Sequence, residues 1–309
     1  MTMPRSYFEY PHRRPGMDHD RYGYDNLFSR KPVQWPSGAR VALVVVPVLE
    51  WYPLNMYEDP AAVKIPGGMD RPYPDYWNYT MRDYGTRVGI HRIFKVLDDL
   101  GMPASVAMNA EIARRHPFLV REVTRRQWEI VAHGLDMGHV LHSGLTVEEE
   151  DAIVSRSLSM LRQASGQAVT GWLSPIQSES MTTLDALSRH GVQYTLDWNV
   201  DDLPVRMRGD AGPVYGMPYG LDTSDKLSVL DFNLSNEAYT EQLVDAFDTL
   251  WREAEHSGGR MVTIAAHSWL TGQANRIIAL RRALEIMASH SGVWATTYAD
   301  ALRAYKAQE

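Results

Sequence analysis

Two histidines in this chain close apolar stretches: His133 follows Glu129-Ile-Val-Ala132, and His267 follows Met261-Val-Thr-Ile-Ala-Ala266. A carboxylate, Glu50, ends the longest such stretch, which begins at Val41. Histidine changes charge near neutral pH and can give or take a proton. A carboxylate beside it can act as a base, hold a metal or fix an imidazole tautomer. These three residues are the expected catalytic set. Asp202, in the acidic turn Asp201-Asp202, is expected to orient one of the histidines. His139 and His142 follow His133 in the same loop and are expected to be loop residues, with a ligand role open to them. The bland reading of each histidine is a buried ring satisfied by backbone groups.

What would bring Glu50, His133 and His267 together is a parallel sheet, because all its strands deliver their C-terminal residues to one crevice. The pattern supports one. Apolar runs at 41–48, 104–108, 129–132, 169–173, 193–197, 214–217, 261–266 and 293–295 read as strands. Amphipathic segments at 87–100, 110–126 (interrupted near Pro117), 146–164, 181–190, 237–255, 273–289 and 298–305 read as helices. Thr146 and Glu149 have capping-box spacing, and Gly101 and Gly191 stop helices. Strands and helices alternating this often predict an α/β fold, a closed (β/α) barrel, with an open doubly wound sheet as the second choice. Strand ends also place Trp51, Asn109, Ser174, Trp198 and Trp269 at the crevice, as expected substrate contacts.

Residues 1–40 are rich in breakers and read as an extended N-terminal arm, leaving 41–309 as one domain. Residues 52–85 form a long insertion rich in aromatic residues, expected to line the entrance. The net charge of −7 argues against a nucleic-acid partner. No apolar run reaches the ~20 residues of a membrane span. With no cysteine the chain has no thiolate nucleophile, disulfide or Cys-type zinc site. It lacks Gly-x-Ser-x-Gly, a Gly-rich phosphate loop and His-Glu-x-x-His, which leaves hydrolysis by acid–base residues, with or without a metal. The partner is expected to be a small-molecule substrate, and the location cytoplasmic.

The chain resembles the NodB-homology polysaccharide deacetylases, and within them a branch similar to deacetylase-type allantoinases. The likeness runs through His19-Asp-Arg-Tyr22, Trp35-Pro-Ser-Gly-Ala-Arg-Val41, Glu50, Glu129-Ile-Val-Ala-His-Gly134, Gly171-Trp-Leu-Ser-Pro175, Asp197-Trp-Asn-Val-Asp-Asp-Leu-Pro204, His267, Gly272-Gln273 and Arg276-Ile277. It implies a distorted (β/α) barrel of about seven parallel strands. Its site would have an aspartate pair after the first strand, a His-x-x-x-His motif and a late histidine acting as acid. Glu50, His133 and His267 match those positions. Trp51 stands where a second acid often would, and Met137 where the second histidine should be. A divalent metal such as zinc wants three or more protein ligands. Here the set would be Glu50 and His133, completed by His139 or His142.

The resemblance therefore implies a hydrolase of a non-peptide carbon–nitrogen bond. The two departures point to a small, activated amide, such as a cyclic ureide or imide, opened by general acid–base catalysis. Two other readings remain: a metal-dependent N-acetyl-sugar or polysaccharide deacetylase with a rebuilt site, and a degenerate protein that only binds its ligand. The arm and the resemblance together suggest a homo-oligomer.

Overall fold

A computed structural model describes residues 5–54, 74–220 and 222–309. Among them are nine strands: β1 (Val41–Leu49), β2 (Ser105–Met108), β3 (Glu129–Ala132), β4 (Gly171–Trp172), β5 (Tyr194–Thr195), β6 (Val205–Met207), β7 (Val214–Gly216), β8 (Arg260–His267) and β9 (Val293–Thr296). They form one sheet in the order β6-β7-β5-β4-β3-β2-β1-β8, with β9 also against β1. Every pairing is parallel except β6 with β7.

The order falls steadily from β5 to β1, without the reversal that defines a doubly wound sheet. Strand β1 shows the consequence residue by residue. Ala42, Val44, Val46 and Val48 belong to an inner cluster with Ala107, Val131, Leu196, Met217 and Ala265. Val41, Leu43, Val45 and Leu49 turn the other way, into the layer packed under the helices. A side-chain period of two thus supplies a barrel lumen and an outer core from one continuous apolar run. Loops bridge the seam beside β8: the Met261 amide donates to the Asp202 carbonyl (3.2 Å), and Ser224 pairs with Ala265. The fold is the distorted (β/α) barrel that was expected, with β6 an antiparallel edge strand beyond the predicted set.

Nine α-helices are described: α1 (Tyr76–Tyr84), α2 (Ile90–Leu100), α3 (Ala110–Arg115), α4 (Pro117–Arg125), α5 (Val147–Ser165), α6 (Thr183–Arg189), α7 (Asn236–Ser257), α8 (Ile277–Ala288) and α9 (Tyr298–Lys306). Thr146 and Glu149 form the capping box at the start of α5. The insertion also departs from the long loop expected there. Its C-terminal part is helix α1, capped by Asp75 and running through a wide turn into α2. Trp77 and Tyr76 there are exposed. Residues 55–73 of the insertion lie outside the described residues. No helix among the described residues is long and apolar enough to cross a membrane.

The arm packs on its own chain. Arg21, buried, makes a two-pronged ion pair with Asp185 (2.6 and 2.8 Å), and the Trp35 indole donates to the Arg260 carbonyl (2.8 Å). Such a guanidinium–carboxylate fork fixes orientation as well as charge.

Candidate active site

The C-terminal ends of β1, β3 and β8 meet at a cavity of about 200 Å³ whose wall includes Glu50, His133, Ser174, Lys226, Asp231 and His267. Asn109, just after β2, ties this end together. Its side-chain oxygen accepts the Trp51 amide (2.7 Å), and its side-chain nitrogen donates to the His133 carbonyl. The next residue, Gly134, has φ +65° and faces Pro175, whose ring lies 2.7 Å from where a Cβ would project. Only glycine meets both conditions without strain, which fixes how the chain turns away after His133.

His133 is 3% exposed. Its Nδ1 lies 2.8 Å from the Leu173 carbonyl, which can only accept, so Nδ1 carries the hydrogen. The neutral ring then presents its Nε2 lone pair to the cavity, and this buried atom has no hydrogen-bond partner. His267 is built differently. Its Nδ1 faces Asp225 Oδ1 at 2.6 Å, while Asp225 Oδ2 accepts the His267 amide (2.8 Å) and the Thr271 hydroxyl (2.6 Å). The carboxylate fixes the ring and stabilises an imidazolium when one forms.

Glu50 joins the two rings. Its Oε1 is 3.8 Å from His133 Nε2, 3.8 Å from His267 Nε2 and 3.9 Å from Lys226 Nζ. Its Oε2 accepts from the Trp269 indole (2.7 Å) and the Tyr52 hydroxyl (3.0 Å). Burial alone would raise the Glu50 pKa. The Lys226 ammonium, with the His267 and His133 rings, outweighs it and holds the carboxyl well below its ordinary range. Burial and the neighbouring Glu50 push the Tyr52 hydroxyl well up, so it stays a donor.

Several expected roles are corrected by position. Asp202 does not orient a histidine: its carbonyl is held by Met261, at the opposite end of β8 from His267. Six residues at 3.3 Å each put the two ends ~20 Å apart. Asp225, which sequence reasoning missed, does the holding. Of the expected substrate contacts, Ser174 lines the cavity. Trp51 turns outward beneath Arg115 and against Tyr79 and His116. Trp198 donates to Glu179 and packs on His19 and Tyr22. Asn109 and Trp269 serve the strand ends and Glu50. Lys226 was also missed. The one hint of both Asp225 and Lys226 was the length of the connection from Met217 to Ser235, long for a loop inside a compact domain.

The metal set expected from the sequence does not assemble. His139 Nδ1 is bonded to Asp136 (2.7 Å), with its side chain 48% exposed. Met137 is buried against Tyr52 and Ile176. Both Glu50 oxygens already face donors or cations. Among the described residues no group of three or more His, Asp or Glu side chains is arranged to hold a metal ion. The residues present do not fit the divalent ion that the resemblance implies.

Behind Ser174 lies a second acidic pair. Asp197 Oδ1 accepts the Ser174 amide (2.8 Å), and Glu179 faces Asp197. Burial, then the Asp197 charge, pushes Glu179 well above its ordinary pKa, and burial raises Asp197 too. Burial thus favours the protonated, neutral form of Glu179 beside Asp197.

Comparison with known proteins bears on the fold around this site. The polysaccharide deacetylase family model matches residues 76–195. A Schizosaccharomyces pombe protein assigned as a polysaccharide deacetylase is 24% identical over 243 residues, 73% of this chain and 75% of that one. A peptidoglycan deacetylase of Helicobacter pylori is 21% identical over 166 residues, 54% of this chain and 52% of its own. Among solved structures, PuuE allantoinase superposes with a TM-score of 0.83 at 27% identity, covering 93% of this chain and 98% of that one. A probable polysaccharide deacetylase from Pseudomonas aeruginosa PAO1 gives 0.82 at 24% identity, with 92% and 98% covered; this second likeness is one of fold.

Proposed function

For a chain that matches the polysaccharide deacetylase family model over residues 76–195 and whose barrel is similar to that of PuuE allantoinase, we propose hydrolysis of a non-peptide carbon–nitrogen bond in a small amide, of the cyclic ureide or imide class. The observation that carries this reading is the pair of buried histidines whose Nε2 atoms both lie 3.8 Å from one Glu50 oxygen. The small cavity, about 200 Å³, supports a compact substrate.

The two rings divide the work. His133, with a free Nε2 lone pair, takes a proton from water as the oxygen bonds to the substrate carbonyl carbon. His267, backed by Asp225, gives its Nε2 proton to the nitrogen as the carbon–nitrogen bond breaks, leaving a carboxylic acid and an amine or amide. Glu50 is a poor base, because its pKa lies well below neutral. It remains ionised and steadies whichever ring is charged. General acid–base assistance of this kind contributes ~10²–10⁴-fold per group.

The test is turnover of allantoin, hydantoin, dihydropyrimidines and succinimide by purified protein, with and without a chelator, beside acetylated amino-sugar oligomers. Ring opening that survives the chelator is expected. Acetate release from the sugars that the chelator abolishes overturns the reading in favour of a metal-dependent deacetylase. Tight binding with no turnover of any of them leaves a ligand-binding protein instead.

A further inference from the structure

We propose that the ammonium of Lys226 takes the electrostatic place of a divalent cation in this site and is the catalytic group that stabilises the oxyanion. The inference rests on the carbon–nitrogen hydrolase reading and adds the one element that reading lacks. Water attacking an amide carbonyl places negative charge on its oxygen, and a site without a fixed positive group or donor there loses most of its advantage. Lys226 is the single lysine or arginine among the described residues lining the cavity. Its Nζ is 3.9 Å from the Glu50 oxygen that both histidine rings face, and its side chain is only 18% exposed.

The backbone fixes that placement. Lys226 opens the wide helical turn Lys226–Asp231, and the residue before it is Asp225, which holds His267. One segment therefore sets both the acid's orientation and the cation's position. Asp231, also on the cavity wall, is the other charged group that this turn brings to the site. A metal bound to Glu50 Oε1 would sit ~2.0–2.2 Å from that oxygen and would crowd an ammonium already beside it. Lys226 and a divalent ion are thus alternatives. The Met137 position accords with this: a second metal-binding histidine would have no ion to bind.

The chain contains no cysteine, so Lys226→Cys introduces a unique thiol. Alkylation with 2-bromoethylamine restores an ammonium at nearly the lysine length, whereas iodoacetamide adds a neutral group of similar bulk. The variant is expected to lose ~10²–10³-fold in kcat, the usual cost of removing one oxyanion donor. Aminoethylation should restore activity to within about tenfold, and carbamidomethylation should not. Full activity in Lys226→Cys, or equal rescue by both reagents, overturns the proposal. A second measurement needs no turnover: zinc titration of wild type, Lys226→Met and Lys226→Met with His133→Ala. Tighter zinc binding in Lys226→Met than in wild type, lost again without His133, supports the exchange of cations. Equal or weaker binding overturns it. If wild type turns over none of the amides, the hydrolase reading fails, while the zinc titration still decides whether Lys226 holds the cation's place.

Discussion

Replacing Asp225 by asparagine tests the division of labour between the two histidines most directly. In the folded protein Asp225 Oδ2 accepts two donors, the His267 amide and the Thr271 hydroxyl, while Oδ1 accepts His267 Nδ1–H. An asparagine side chain has one oxygen. Placed at the Oδ2 position, it keeps both of those bonds and turns its NH₂ toward His267 Nδ1. The opposite rotamer would set NH₂ against two donors and lose both. The favoured arrangement therefore forces the ring into the tautomer with hydrogen on Nε2 alone, and an imidazolium would face a donor on each side. His267 can no longer act as a strong acid. The analogous exchange in the serine-protease triad lowers kcat ~10⁴-fold through the same tautomer error. Here the expected loss is ~10²–10⁴-fold, or about 3–5 kcal/mol in the barrier. The stability cost should be one hydrogen bond to a charged group, about 1.5–3 kcal/mol. The assay is the pH profile of kcat and kcat/KM on whichever amide is turned over, with thermal melts to show the variant is folded. A folded Asp225→Asn enzyme within threefold of wild type would refute the assignment of His267 as an acid held by Asp225.

Asp202→Asn is the companion control: with its backbone held near Met261 at the far end of β8, it should leave kcat unchanged. Glu50→Gln, with its oxygen kept toward Trp269 and Tyr52, should lose at least ~10²-fold in kcat. Wild-type Glu50 has a folded pKa depressed from 4.5, so it stabilises the fold above that pH and stops doing so as pH falls through the depressed value. Glu50→Gln should accordingly show a shallower loss of stability on the acid side, followed by chemical denaturation at stepped pH. Glu179 behaves in the opposite sense. Its folded pKa is raised above 4.5, so wild type gives up stability as pH rises from there toward the raised value. Glu179→Gln, which can still accept from Trp198, should melt higher than wild type at pH 7, with the gap closing below pH 4.5; a lower melt at pH 7 would count against a raised Glu179 pKa.

The parts of this molecule written as periodic patterns were legible in the sequence. The run from Val41 to Leu49 could not be mistaken for a helix surface, because it is apolar at every position, as a strand buried on both faces must be. Once the strands were placed, Glu50, His133 and His267 followed, since parallel strands share one functional end. What stayed hidden came from segments without a period. Asp202 sat in a conspicuous acidic turn, but that turn lies at the N-terminal end of β8, and sequence gives no sense of which end of a barrel a long connection returns to. Asp225 and Lys226 lie in a connection with neither strand nor helix periodicity, and their burial comes from folding across the seam beside β8. Trp51 and Trp198 were expected at the crevice because they follow strands. A strand end fixes where the backbone is, however, and the neighbouring Arg115 and Glu179 decide where each indole turns.

The two departures from the family pattern, Trp51 and Met137, belong to one rearrangement. Trp51 is turned out of the barrel against Arg115 and His116, and the next residue, Tyr52, occupies the inner position and donates to Glu50. Met137 packs directly on Tyr52, with its amide bonded to the Trp51 carbonyl (2.9 Å). The resemblance would set an acid and a histidine here as metal ligands; Tyr52 and Met137 make a dry wall instead. That wall leaves Glu50 almost wholly desolvated, a cost that a lone carboxylate would meet by taking up a proton. Glu50 stays charged chiefly because the Lys226 ammonium, and after it the His267 ring held by Asp225, face it. The dry wall and the lysine are therefore linked by electrostatics: burial raises the Glu50 pKa, and the Lys226 ammonium is the largest of the influences that lower it and keep a charge between the two rings.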